Sequence, residues 1–213
     1  AAPKRADALQ FKGDLLWQGK SDVDGALQLY RDALAADPRS ISAHSALIRL
    51  LLQKGDIQGF RTHVASLKTA WPTHPTTRFF DVQLALLDRD FSRAREVANQ
   101  LLLVAPGDSA ALQLAGAVEF QGGSLKLAEA HLVKALQLSP DLPLARRMLA
   151  ETHLRSGLTA KALQTLQPLL DRPKPAADAF ALAAQAHLQS GDLAKAEKYF
   201  TLAVQADPAD PKA

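Results

Sequence analysis

The chain has 213 residues, 47% apolar and only 6% aromatic, with 25 basic and 22 acidic side chains giving a formal charge of +3. It carries no cysteine, which excludes disulfides and thiolate metal sites without identifying a compartment. No apolar run reaches about 18 residues, so none reads as a membrane span.

The predicted elements come in pairs of helices. The first pair spans about 5–19 and 23–36. Pro3 to Pro38 is 35 residues rather than 34, and Gly19 precedes Ala26 by seven rather than the five of later pairs, so one extra residue is placed in the turn Gly19-Lys20-Ser21-Asp22. The second pair, 41–54 with 57–70, has Phe60 and Leu67 where others have alanine, so its helices are expected to sit farther apart or to tilt. The third, 75–88 with 91–104, turns through Asp88-Arg89-Asp90 without glycine, and a left-handed residue there costs on the order of 1 kcal/mol. Ordinary repeat drift accounts for both departures better than a hinge does.

In the fourth pair, Leu112, Ala115, Gly116, Glu119 and Phe120 follow helical spacing, and Gly122-Gly123 stops the helix. A second helix runs from Leu125 to Leu138, with Ala128, Leu132 and Ala135 on one face, and Pro140 closes the unit. Gly116 and Ala128 let the two helices approach closely. Pairs at 143–156 with 159–171 and at 177–190 with 193–206 complete twelve helices in six hairpins.

One period runs through these pairs. Prolines recur every 34 residues at Pro38, Pro72, Pro106 and Pro140 and again at Pro208, with Lys174 in the skipped place. Ala26, Ala94, Ala128, Ala162 and Ala196 keep the same step, as do Gly55, Gly123, Gly157 and Gly191. A fixed period of this size marks stacked units sharing one continuous core.

These residues resemble the tetratricopeptide repeat, a helix-turn-helix unit with small residues, glycine and a closing proline at these offsets. The segments GDLAKAEKYFTLAVQADP (191–208) and SLKLAEAHLVKALQLSP (124–140) look like its second helix and exit. The resemblance implies an all-α, right-handed superhelix (an α-α solenoid) over residues 1–213, with repeats at about 5–38, 41–72, 75–106, 109–140, 143–174 and 177–208. A narrower likeness, in 12–27, 43–56 and 111–170, is to the lipoproteins with these repeats of the PEP-CTERM system. That family implies a scaffold near exosortase and exopolysaccharide genes, periplasmic and lipid-anchored at the outer membrane. The lipid-bearing cysteine is not in this sequence, so the anchor is expected outside it, and the ends read as those of an internal fragment.

In this repeat class the first helix of each hairpin lines a concave groove. Carried over, the groove positions are Gln10, Asp14 and Trp17; Ser45, Arg49 and Gln53; Phe79, Gln83 and Leu87; Gln113, Ala117 and Gln121; Arg147, Glu151 and Arg155; and Asp178, Gln185 and Gln189. The expected contacts are Gln10, Asp14, Trp17, Arg49, Phe79, Gln83, Gln113, Arg147, Glu151 and Gln185. Opposite charges cancel along this lining, which argues against nucleic acid, where one sign must neutralise many phosphates. The lysine and asparagine set that clamps a carboxylate tail is absent. A protein or peptide fits the lining, and a polysaccharide bound by amides and aromatic faces is the alternative; a structural spacer is a third reading.

Trp17 and Phe79 could anchor a partner, but packing between helices is favoured. Arg147, Glu151 and Arg155, four apart, are expected to pair along their own helix. Six histidines suggest metal, yet His153, His187 and His44 occupy packing positions, and His63 and His74 lack a third ligand. No phosphate loop, nucleophile elbow or paired metal motif is present. No cofactor, metal site or enzymatic activity is therefore expected.

Overall fold

The computed structural model describes residues 2–207, which form twelve helices. Pro208 lies outside the described residues. The chain divides into two compact units, residues 1–89 and 90–213, where the repeats suggest one body. The division falls at the Asp88-Arg89-Asp90 turn.

The first unit holds α1 (Ala2–Lys20), α2 (Val23–Ala36), α3 (Ile41–Lys54), α4 (Ile57–Ala70) and α5 (Pro75–Leu87). The second holds α6 (Phe91–Val104), α7 (Ser109–Gln121), α8 (Leu125–Leu138), α9 (Pro143–Arg155), α10 (Thr159–Leu170), α11 (Ala177–Gln189) and α12 (Leu193–Ala206). These bounds match the sequence reading to within a residue almost everywhere.

Each second helix starts at the same point of the period. The carboxylates of Asp22, Asp56, Asp90 and Asp192 accept hydrogen bonds from the backbone N–H groups of Gly25, Gly59, Arg93 and Lys195 at 2.8–3.1 Å. Each satisfies a donor that the first turn leaves free. The residue before each cap is left-handed: Gly55, Gly123, Gly157 and Gly191 have φ between 72° and 82°. Arg89 adopts φ 57° there, as expected, and Ser21 adopts φ 54°.

Ser21 corrects the reading of the first turn. It lies 34 residues before Gly55, so the period is unbroken and no residue is inserted. Gly19 belongs to α1, whose helix continues through Lys20.

Packing repeats with the sequence. Ala26, Phe60, Ala94, Ala128, Ala162 and Ala196 share one position and are all at most 3% exposed. Gly116 gives α7 and α8 their close approach: a Cβ there would stand 2.6 Å from Cγ of the buried Leu132. Phe60 and Leu67 are wholly buried with Ile48, Val64 and Phe80, so their bulk is taken into the core between α3, α4 and α5.

Candidate functional site

Within the second unit the first helices form one layer, α7 against α9 and α9 against α11, with the second helices behind. Their free face carries half-buried Gln113 and Ala117 on α7, half-buried Arg147 and Glu151 on α9, and half-buried Asp178 and exposed Gln185 on α11. Four of these, Arg147, Glu151, Asp178 and Gln185, meet in a depression of about 550 Å³. Its apolar wall comes from Leu144, Met148, Leu182 and Phe200.

The charges do not pair as helical spacing suggests. The Arg147 guanidinium forms its ion pair with Asp178 across to α11. Arg155 turns the other way, with its guanidinium carbon 4.4 Å from the centre of the Phe120 ring on α7. Glu151, four residues from each, forms no ion pair or hydrogen bond among the described residues.

Phe200 reaches the apolar wall from α12. At its place in the period stand Tyr30, Val64, Ala98, Leu132 and Leu166, each at most 3% exposed, whereas Phe200 is 36% exposed. The first helix of the next hairpin covers Leu132 through Ala145 and Leu149, and Leu166 through Ala179 and Ala183.

In the first unit the unbroken period moves the sequence expectation. Arg49 and Gln53 have Leu15 and Gly19 as their counterparts on α1, and Phe11 corresponds to Ser45. Phe11 and Leu15 are 63% and 55% exposed. Gln10, Asp14 and Trp17 correspond instead to His44, Ile48 and Leu51, which are buried. Asp14 accepts hydrogen bonds from the Tyr30 hydroxyl at 2.7 Å and from Gln10 at 2.8 Å. Burial first, then this bond to Asp14, pushes the Tyr30 phenol well above its ordinary range. Trp17 packs against the cluster of Tyr30, Leu47 and Leu50 and donates from Nε1 to Gln53 Oε1 at 3.0 Å.

Arg49 is exposed on α3. Phe79 on α5 packs against the Phe60 cluster and meets Phe80 edge-on, ring centres 5.7 Å apart. Gln83 is half-buried with its Oε1 shielded from solvent and without a donor among the described residues. Both aromatic candidates therefore have packing roles.

His153 and His187 likewise pack against neighbouring side chains, and no group of three or more metal-binding side chains occurs among the described residues. Buried His153 lies between Glu129, 3.2 Å from Nε2, and Thr165, 3.2 Å from Nδ1. His187 stacks on Tyr199 with ring centres 5.4 Å apart. His74 caps α5 through Thr76 N at 3.2 Å.

Two arrangements escaped the sequence reading. His44 and His63 face one another, Nδ1 to Nδ1 at 3.3 Å. Glu119, 4% exposed, receives two bonds from Arg95 at 2.8 and 2.6 Å. That forked contact holds the Glu119 carboxyl below its ordinary range against the opposing effect of burial.

Comparison with known families and structures agrees with this geometry. Two tetratricopeptide-repeat families match, one over residues 82–143 and 147–211, the other over 18–75. Curated protein sequences give no significant match. Among solved structures, PilW, described as a widely conserved type IV pilus biogenesis factor, superposes with a TM-score of 0.83 at 19% identity, covering 97% of this chain and 96% of that one. PilF from Pseudomonas aeruginosa gives 0.77 at 16% identity over 99% of this chain and 96% of its own. YrrB, described as a repeat protein of this kind with an unusual peptide-binding site, gives 0.62 at 15% identity, covering 86% and 94%. At these identities the likeness carries the fold, an all-α tetratricopeptide-repeat solenoid, and not the partner.

Proposed function

We propose that this chain, which belongs to the tetratricopeptide-repeat family, is a non-catalytic scaffold that holds a segment of a partner protein on the first-helix face of its second unit. The observation that carries the reading is the depression between α9 and α11, where a paired and an unpaired charge, an amide and an apolar wall converge. Its volume, about 550 Å³, is within the range of ligand sites. Rigid packed helices supply these groups, so little ordering remains when a ligand docks.

Selection of displayed peptides on the full chain tests this. Binders should be weakened by Leu144→Ala and Gln185→Ala, on the lining of the depression, and indifferent to Lys134→Ala on the second-helix layer. The reverse pattern would move the site off this face.

The resemblance of 12–27, 43–56 and 111–170 to the PEP-CTERM lipoproteins supports placing the scaffold in a bacterial exopolysaccharide and protein-sorting system. It supports equally a periplasmic location through a lipid anchor outside these residues. An exosortase gene beside this one would support the assignment, and its absence across related genomes would remove it. The exposed amides Gln121, Gln185 and Gln189 favour a polysaccharide as the second reading. Glycan arrays separate the two, since a protein adaptor retains no sugar.

A further inference from the structure

The chemistry of the depression selects among peptides. Arg147, Glu151 and Arg155 lie one helical turn apart on α9, a spacing at which a carboxylate ordinarily pairs with its neighbours. Here both guanidiniums are committed elsewhere, Arg147 to Asp178 on α11 and Arg155 to the ring and carbonyl oxygen of Phe120. Glu151 is left half-buried, and Asp178 Oδ1 is shielded from solvent without a donor among the described residues. The lining thus sets two carboxylates against one cation.

The remaining wall is apolar. Leu144 is 46% and Phe200 36% exposed, and Met148 and Leu182 are half-buried beside them. A surface that is apolar along its sides and carries an unneutralised carboxylate fits one kind of side chain: a long aliphatic stem ending in a cation. A neutral apolar ligand would cover Glu151 without replacing its water, which is costly. An acidic ligand would meet repulsion.

Resting on the peptide-binding reading above, we propose that the depression binds a lysine or arginine side chain of the partner, with Glu151 as counter-ion. The stem lies against Leu144, Met148, Leu182 and Phe200, and the charged head makes a charge-assisted hydrogen bond to the carboxylate.

The test measures fluorescence anisotropy of the full chain with three labelled peptides that differ only at one central residue, lysine, norleucine or glutamate, flanked by leucines. The lysine peptide should bind about tenfold more tightly than the norleucine peptide, the effect of one charge-assisted bond, and the glutamate peptide should bind least. Glu151→Gln should erase the lysine preference, Glu151→Lys should transfer it to glutamate, and Phe200→Ala should weaken lysine and norleucine peptides alike. Equal binding of lysine and norleucine peptides, or a lysine preference that survives Glu151→Gln, overturns the charge selection while peptide binding itself stands. If no peptide of the series binds and display selection also yields none, the peptide-binding reading falls with it.

Discussion

The substitution Phe60→Ala separates the repeat's sequence rule from its packing. Alanine occupies this place in every other repeat, at Ala26, Ala94, Ala128, Ala162 and Ala196, so a consensus argument expects the change to be harmless or stabilising. The structure argues the opposite. Phe60 is 0% exposed and surrounded by Ile48, Val64, Leu67 and Phe80, side chains positioned around its ring. Losing about 100 Å² of buried apolar surface costs about 2.5 kcal/mol at about 25 cal/mol per Å². A residual cavity of about 50–100 Å³ adds about 1–2.5 kcal/mol at about 24 cal/mol per Å³. The better helix propensity of alanine returns roughly 0.5 kcal/mol. The net expectation is a loss of about 3–4.5 kcal/mol in the first unit. Both tryptophans, Trp17 and Trp71, lie in that unit, so urea titration followed by tryptophan fluorescence reads it selectively. A loss under about 1 kcal/mol would mean that α3 and α4 close together as the alanine hairpins do, and the cavity reasoning would be wrong.

Acid should also loosen the first unit through His44 and His63. Burial lowers both imidazoles below their ordinary value near 6.5, and His63 is lowered further by His44 and by Arg31 from α2, with Asp56 opposing. The unfolded chain therefore takes up protons first, and stability is lost as pH falls below about 6.5; His63→Gln should flatten the fluorescence-monitored dependence, and an unchanged slope would exclude the pair as its source. Arg95→Met should destabilise the second unit by about 1–3 kcal/mol, because it strands the buried Glu119 carboxylate. This is less than for a fully buried pair, since the Arg95 side chain is 42% exposed; circular dichroism at 222 nm during denaturation checks it. Ser21→Gly should stabilise the first unit by about 1 kcal/mol by relieving a left-handed non-glycine residue, and a fluorescence-monitored urea midpoint that fails to rise would show that the αL turn is not strained.

The fold was legible because three residue types recur in step, and each mark has a local cause: left-handed glycine, packed alanine, helix-ending proline. The first turn was misread because Gly19 stood near the expected place. The capping aspartates Asp22, Asp56, Asp90 and Asp192 keep the period and would have assigned Ser21 to its true position. That error turned the α1 candidates inward, to Gln10, Asp14 and Trp17 in place of Phe11 and Leu15. The charge pattern on α9 was not legible for a different reason. Spacing along one helix shows Arg147, Glu151 and Arg155 as neighbours, but their choice of partner depends on Asp178 and Phe120, brought close only by packing of α11 and α7 on α9. The facing of His44 with His63 and of Arg95 with Glu119 depends in the same way on contacts between helices.

Hydrogen–deuterium exchange of the full chain, with and without the tightest-binding peptide, addresses the site most directly. Binding on the first-helix face should slow exchange in α9 and α11 and leave α8 and α10 unchanged. Protection confined to α8 and α10, with α9 and α11 exchanging as before, would contradict the account.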